Sequence, residues 1–217
     1  MAPENLVAGE LSGFSHVWSA PSTGSPTTTL LLLHGTGGDE YDLLPLGKTI
    51  APGLGLLSPR GRVLENGRVN RFFRRLAEGV YDELDIKQRV GELAEFIQTA
   101  SLKYAFDPTD VVALGFSNGA NIAAAMMLLR PRILRAAVLL SPLLPMEVDE
   151  PPNLNGAQVF IGAGLADPIA PRHETDRLAQ RLESYGAMVT LDYHPAGHTL
   201  TQSEIDAVRI WLQTVIR

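Results

Sequence analysis

Ser117 lies in Gly115-Phe116-Ser117-Asn118-Gly119, after the apolar run Val111–Leu114 and before the helix-like stretch Asn121–Leu129. A serine hydroxyl is a weak nucleophile, so it needs a base to take its proton and a turn to present it. A sharp strand-to-helix turn does the presenting at the cost of strained backbone, and its close neighbours must be small, as Gly115 and Gly119 are. The helix start behind the serine leaves unpaired N–H groups where negative charge would develop in attack on a carbonyl. The bland alternative is a glycine-rich turn with a capping serine; a strand before it and a helix after it count against that.

The base comes from five histidines: His16, His34, His173, His194 and His198. His198 sits in Pro195-Ala196-Gly197-His198-Thr199, a small-residue loop between the last strand-like run and the last helix-like one. His194 is its rival and reads better as a packing or rim residue. Asp167, in Gly162-Ala163-Gly164-Leu165-Ala166-Asp167-Pro168, would orient the imidazole and stabilise its charged form. Taken alone, it is equally a turn aspartate ahead of a proline. Leu33-His34-Gly35-Thr36-Gly37-Gly38-Asp39 then supplies a glycine turn after an apolar strand. Backbone N–H groups of Thr36 and Asn118 are the expected oxyanion donors. His34 is expected to brace that turn by local hydrogen bonding. Neither Gly35-Thr36-Gly37-Gly38-Asp39-Glu40 nor Gly162-Ala163-Gly164-Leu165-Ala166-Asp167 completes a dinucleotide fingerprint, and no Walker lysine follows. No organic cofactor is expected, and no metal.

Positioning these loops requires alternating strands and helices. Strand-like runs fall at Phe14–Ser19, Thr28–His34, Gly55–Ser58, Asp110–Gly115, Arg135–Ser141, Ala157–Gly162 and Met188–His194. Helix-like stretches fall at Tyr41–Ile50, Asp82–Tyr104, Asn118–Leu129, Pro171–Tyr185 and Ser203–Ile216. Runs that are apolar without alternation suit strands covered on both faces. The pattern predicts an α/β fold, a mostly parallel sheet of about seven strands with helices on both faces. Phe14–Ser19 and Thr28–Leu33, joined by a short turn-rich link, are expected to pair antiparallel. The connections Pro59–Tyr81 and Pro142–Asn155 are expected to be long loops near the site, and no large lid domain is visible.

The 217 residues are read as one domain, with 45% hydrophobic and 19% charged residues. A net charge of −6 argues against a nucleic-acid partner, and no apolar stretch is long enough for a membrane span. The absence of cysteine removes disulfides, thiolate zinc sites and a cysteine nucleophile. With no secretory signal in its first residues, the chain reads as cytoplasmic, and a homodimer is left open.

Leu33-His34-Gly35-Thr36-Gly37-Gly38-Asp39-Glu40, Asp42-Leu43-Leu44-Pro45-Leu46, Gly115-Phe116-Ser117-Asn118-Gly119-Ala120, Ala166-Asp167-Pro168 and Gly197-His198 together resemble the phospholipase/carboxylesterase family of α/β hydrolases, which includes acyl-protein thioesterases. Ser58-Pro59-Arg60-Gly61 and Arg71-Phe72-Phe73-Arg74-Arg75 resemble its small bacterial carboxylesterases, some connected with hydroquinone and catechol stress. The resemblance runs from about Leu30 to Trp211 and implies the fold and a Ser117, Asp167, His198 triad. It implies an esterase but not its substrate, since one fold and one triad serve many esters. The lack of a lipase-size lid favours a carboxylesterase taking small or medium esters, with a thioesterase or lysophospholipase as the alternative and a non-catalytic receptor as a remoter one. Asn118 replaces the glutamine of many thioesterase-like relatives.

Arg60, Arg62, Arg68, Arg71, Arg74 and Arg75 crowd the Pro59–Tyr81 connection. Arg71, Phe72 and Arg74 are candidate wall residues for an anionic or aromatic ester, since a guanidinium grips carboxylates and stacks on rings. The alternative is that these arginines pair with surface carboxylates. Leu143, Leu165 and Ile169 are candidates for an apolar side of the pocket, with core packing as the alternative.

Overall fold

The computed structural model describes residues 6–22, 27–77 and 79–216. Its centre is β3 (Thr29–Leu33), which is buried along its whole length. Consecutive leucines point to opposite faces of a strand, so this one needs apolar cover on both sides. Leu31 and Leu33 pack towards α2 (Glu83–Tyr104), α3 (Asn118–Leu129) and α4 (Arg172–Ser184). Leu30 and Leu32 pack towards α1 (Leu44–Ile50) and α5 (Gln202–Val215).

On one side of β3 runs β4 (Gly55–Pro59); on the other run β9 (Val111–Phe116), β10 (Ala136–Leu140), β11 (Gln158–Gly164) and β12 (Met188–His194), all parallel. β2 (Phe14–Ser19) lies antiparallel against β4, and β1 (Leu6–Leu11) antiparallel against β2. The resulting eight-stranded sheet has the order β1-β2-β4-β3-β9-β10-β11-β12. With helices on both faces, it is the α/β-hydrolase architecture.

Four details depart from the sequence reading. The sheet has eight strands rather than about seven, because β1 is an edge strand with a largely exposed face and carries no apolar pattern. The expected pairing of Phe14–Ser19 with Thr28–Leu33 does not form, because β4 lies between them. β4 is buried at every position and therefore needs a neighbour on each side, whereas β2 keeps half-exposed serines. The Pro59–Tyr81 connection is not a plain loop: it folds into two hairpins, β5 (Val63–Glu65) with β6 (Val69–Arg71), and β7 (Arg75–Ala77) with β8 (Val80–Tyr81). Finally, α1 starts at Leu44 rather than Tyr41, where Pro45 fits the first turn of a helix.

At the far end of the chain, Thr201 caps α5 by accepting the Glu204 N–H. Glu204 itself turns inward with 1% exposure, its Oε1 3.5 Å from Nε2 of the equally buried His194. Burial pushes its carboxyl up to about 7, with Asp192 acting in the same direction and a Thr201 backbone N–H opposing. The folded state therefore keeps this proton through the interval from 4.5 to about 7, over which the unfolded chain releases it. Stability from this group is present at acidic pH and lost as pH rises through that interval. Glu204→Gln should accordingly gain melting temperature relative to the wild-type chain, and gain more at pH 8 than at pH 5. An equal difference at both pH values, read by differential scanning fluorimetry, would contradict this.

Candidate active site

The ends of β3, β9, β11 and β12 meet at one edge of the sheet, where parallel α/β folds place their sites. Ser117 follows β9 and has φ 51° and ψ −114°, a conformation L-residues rarely hold. Its N–H donates to Leu140 O at 2.8 Å, and its carbonyl accepts from Asn121 N at 2.9 Å, so the turn is tied to both the sheet and α3. Gly119 is indispensable there, since a Cβ would collide with the carbonyl of Leu33.

Ser117 Oγ–H donates to His198 Nε2 at 2.9 Å, and His198 Nδ1–H donates to Asp167 Oδ2 at 2.6 Å. The donor roles follow from the carboxylate, which leaves Nδ1 as the protonated nitrogen. Asp167 is buried, and its other oxygen accepts from Ile169 N at 2.8 Å and Ala170 N at 2.9 Å. The loops bearing Asp167 and His198 are stitched together by Leu165 N to His194 O at 2.8 Å and Ala166 N to Ala196 O at 3.1 Å. Phe116 packs on the His198 ring, centroids 5.2 Å apart.

Thr36 and Asn118 flank the serine, and among the described residues neither backbone N–H donates to a protein acceptor. Both residues are held by the hairpin segment after Pro59. Arg71 Nη1 donates to Thr36 Oγ1 at 2.8 Å, and Phe72 N donates to Asn118 Oδ1 at 2.7 Å. Gly37 N donates to Asn70 O at 2.9 Å, and Asn70 Nδ2 returns a bond to Gly38 O at 2.9 Å. His34 is buried, donates from Nδ1 to Gly35 O at 2.6 Å and accepts from Gly61 N at 2.9 Å. Burial holds its pKa below the ordinary histidine value.

A cavity of about 290 Å³ opens in front of Ser117. Arg71, Arg75, Tyr81 and Asn121 contribute polar groups to its lining, and Phe116, Leu143 and Ile169 apolar ones. Of the candidate wall residues, Arg71, Leu143 and Ile169 line it. Phe72 does not: it is buried against the His34 ring, centroids 4.7 Å apart. Arg74 does not either: its exposed guanidinium donates from Nε and Nη2 to one oxygen of Asp82, Oδ2. Leu165 is half-exposed beside the acid loop and outside the lining. Arg75, Tyr81 and Asn121 are among the lining residues that the sequence reading did not single out. Arg75 was visible in the arginine cluster, and Asn121 stands four positions after Ser117 on the same helix face. Tyr81, whose hydroxyl accepts from Asn121 Nδ2 at 3.0 Å, carried no signal. Among the described residues, no group of three or more histidines and carboxylates gathers as a metal site.

The sequence profile of the phospholipase/carboxylesterase family matches residues 19–216. The Bacillus subtilis (strain 168) protein MhqD, which bears a hydrolase's name, is 45% identical over 193 residues, covering 89% of this chain and 96% of that one. The crystal structure of the Bacillus cereus carboxylesterase superposes with a TM-score of 0.89 at 44% identity, covering 93% of this chain and 94% of that one. The structure of YahD with malic acid matches at TM-score 0.87 and 29% identity, over 93% of this chain and 99% of that one. The chain belongs to the phospholipase/carboxylesterase family and is an ester hydrolase.

Proposed function

We propose that the chain is a serine carboxylesterase using Ser117 as nucleophile, His198 as general base and acid, and Asp167 as the group that orients the imidazole. The observation that carries this reading is the continuous line of hydrogen bonds from Ser117 Oγ through His198 to Asp167 at the floor of the cavity. His198 Nε2 takes the hydroxyl proton as Oγ attacks the ester carbonyl, and the developing oxyanion is received by Thr36 N–H and Asn118 N–H. The tetrahedral intermediate expels the alcohol, which leaves with the proton returned by His198. Water, deprotonated by the same nitrogen, then attacks the acyl-enzyme and regenerates Ser117.

Cavity size and lining favour small esters over long acyl lipids. About 290 Å³ is at the lower end for small-molecule sites. Its apolar groups would take the hydrocarbon or ring of the substrate. Its polar groups would take a carboxylate or another acceptor through the positive charge of Arg71 and Arg75, the Nε–Nη2 fork of Arg75 being already engaged with Glu65. YahD was solved with malic acid, a ligand of that chemical kind. A thioester uses the same attack geometry, so the acylthioester alternative is separated by assay, with matched aryl esters and acyl-CoA thioesters compared on one preparation.

Ser117→Ala should lower ester hydrolysis by at least ~10³-fold and abolish labelling by a fluorophosphonate probe; retained labelling would place the nucleophile elsewhere. Asp167→Asn should leave the melting temperature close to wild type while lowering kcat by ~10³-fold or more, since the amide favours the wrong imidazole tautomer. Within the lining, Arg75→Ala should raise KM about 5–10-fold for esters carrying a carboxylate and leave neutral esters of equal size unchanged. Arg74→Ala, which alters a solvent-exposed pair, should move neither. Equal KM changes for charged and neutral esters in the Arg75 variant would remove the carboxylate preference.

A further inference from the structure

Thr36 N–H can serve as an oxyanion donor only if its peptide plane is held with that N–H turned to the cavity. The Gly35–Thr36 peptide is trans and planar, so the Gly35 carbonyl and the Thr36 N–H point in opposite directions from one rigid unit. Whatever holds the carbonyl also aims the N–H. Two groups hold it: His34 Nδ1–H at 2.6 Å and Gly38 N–H at 3.1 Å. The second is the turn's own closing bond, and the first is the imidazole's addition to it. Gly37 has φ +87°, and glycine at such a position leaves the neighbouring peptides easy to rotate.

The protonation of His34 is decided by the hairpin segment. Gly61 N–H is a donor under every condition, and it faces His34 Nε2 at 2.9 Å. Nε2 must therefore be the bare acceptor, and the one proton of the neutral ring must sit on Nδ1, facing Gly35 O. Protonating Nε2 would set two N–H groups against each other inside the core. Burial opposes the charged ring in the same sense, against the nearby carboxylates of Asp42, Asp39 and Glu40, the last of them paired with Arg60 beside Gly61.

We propose that His34 is a positioning residue for catalysis: held as its Nδ1–H tautomer by Gly61, it pins the Gly35 carbonyl and so aims the Thr36 N–H at the reacting carbonyl oxygen. This rests on the serine mechanism proposed above. It differs from simple bracing of a turn, because it assigns the effect on rate to one nitrogen of the ring. The relay runs Gly61 N–H, imidazole, Gly35–Thr36 peptide, oxyanion, and none of its members is acid or base to the substrate.

Two near-isosteric variants divide the ring in half. His34→Asn places an amide N–H near the Nδ1 position and loses the acceptor for Gly61. His34→Gln places an acceptor near the Nε2 position and loses the donor to Gly35. The expected order of kcat is wild type, then His34→Asn, then His34→Gln, with His34→Gln reduced about 10–100-fold and KM changed less than about twofold; losing an oxyanion donor outright costs ~10²–10³-fold. Affinity for a trifluoromethyl ketone or boronic acid that mimics the tetrahedral intermediate should fall in the same order as kcat. Affinity for the product acid should not follow it. His34→Gln with kcat and inhibitor affinity at the wild-type level overturns the proposal, as does a kcat order that follows melting temperature with inhibitor affinity unmoved. Ser117→Ala is measured in the same assay. Its survival would overturn the serine mechanism itself, whereas an inactive Ser117→Ala beside a fully active His34→Gln overturns only the role of His34.

Discussion

The site depends on a close approach of two backbones: the start of α3 runs so near the end of β3 that Gly119 presses its Cα against the carbonyls of Leu33 and His34. Gly115 is packed as tightly against the backbone of Gly119 itself. This contact sets the glycine turn after β3 and the serine turn after β9 side by side, so that Thr36 and Asn118 flank Ser117. Ser117 holds a positive φ in consequence, a strain of ~1–3 kcal/mol in general terms. Burial of α3, from Asn118 to Leu128, supplies packing energy of the size needed to offset it.

On the other side of the serine, geometry is inherited from the sheet. β11 and β12 continue their pairing past the strand ends, through the bonds of Leu165 to His194 and Ala166 to Ala196. The loops bearing Asp167 and His198 are therefore extensions of a parallel ladder rather than independent excursions. Gly164 lets them approach, since a Cβ there would strike the carbonyls of Ala196 and Gly197. Hydrogen-bonding groups fixed before substrate arrives need no reorganisation during reaction, which is where such sites derive most of their rate advantage.

What the sequence disclosed divides along the same physical line. Strands buried on both faces announce themselves as apolar runs, and the loops that follow them carry glycines wherever backbones must touch. The fold class and the neighbourhoods of positions 36, 117, 167 and 198 were legible for that reason. β1 was not, because an edge strand with an exposed face has no apolar period to read. The neighbour of β2 was not, because adjacency in a sheet depends on which strands need two partners, a property of the whole sheet. The arginine cluster misled in part. Composition shows that the segment is charged, but only geometry shows that Arg60 meets Glu40, Arg62 meets Glu92, Arg74 meets Asp82 and Arg75 meets Glu65. The pairing of His34 with Gly61 left no trace either, since a glycine N–H looks the same everywhere in a sequence.

The hairpin segment between β4 and α2 thus contributes to two parts of the proposed site. Gly61 and Asn70 to Phe72 bond to the oxyanion turn and to Asn118, while Arg75 and Tyr81 face the cavity. The second hairpin is tied through side chains, Arg75 to Glu65 and Tyr81 to Asn121. The first is bound through buried backbone groups whose loss leaves unpaired donors. In the proposed mechanism, substitutions at Arg75 and Tyr81 would therefore reshape what the pocket accepts without disturbing Thr36 and Asn118. Arg71 is the exception, since it both lines the cavity and bonds Thr36, so under the proposed mechanism a change there would alter recognition and rate together.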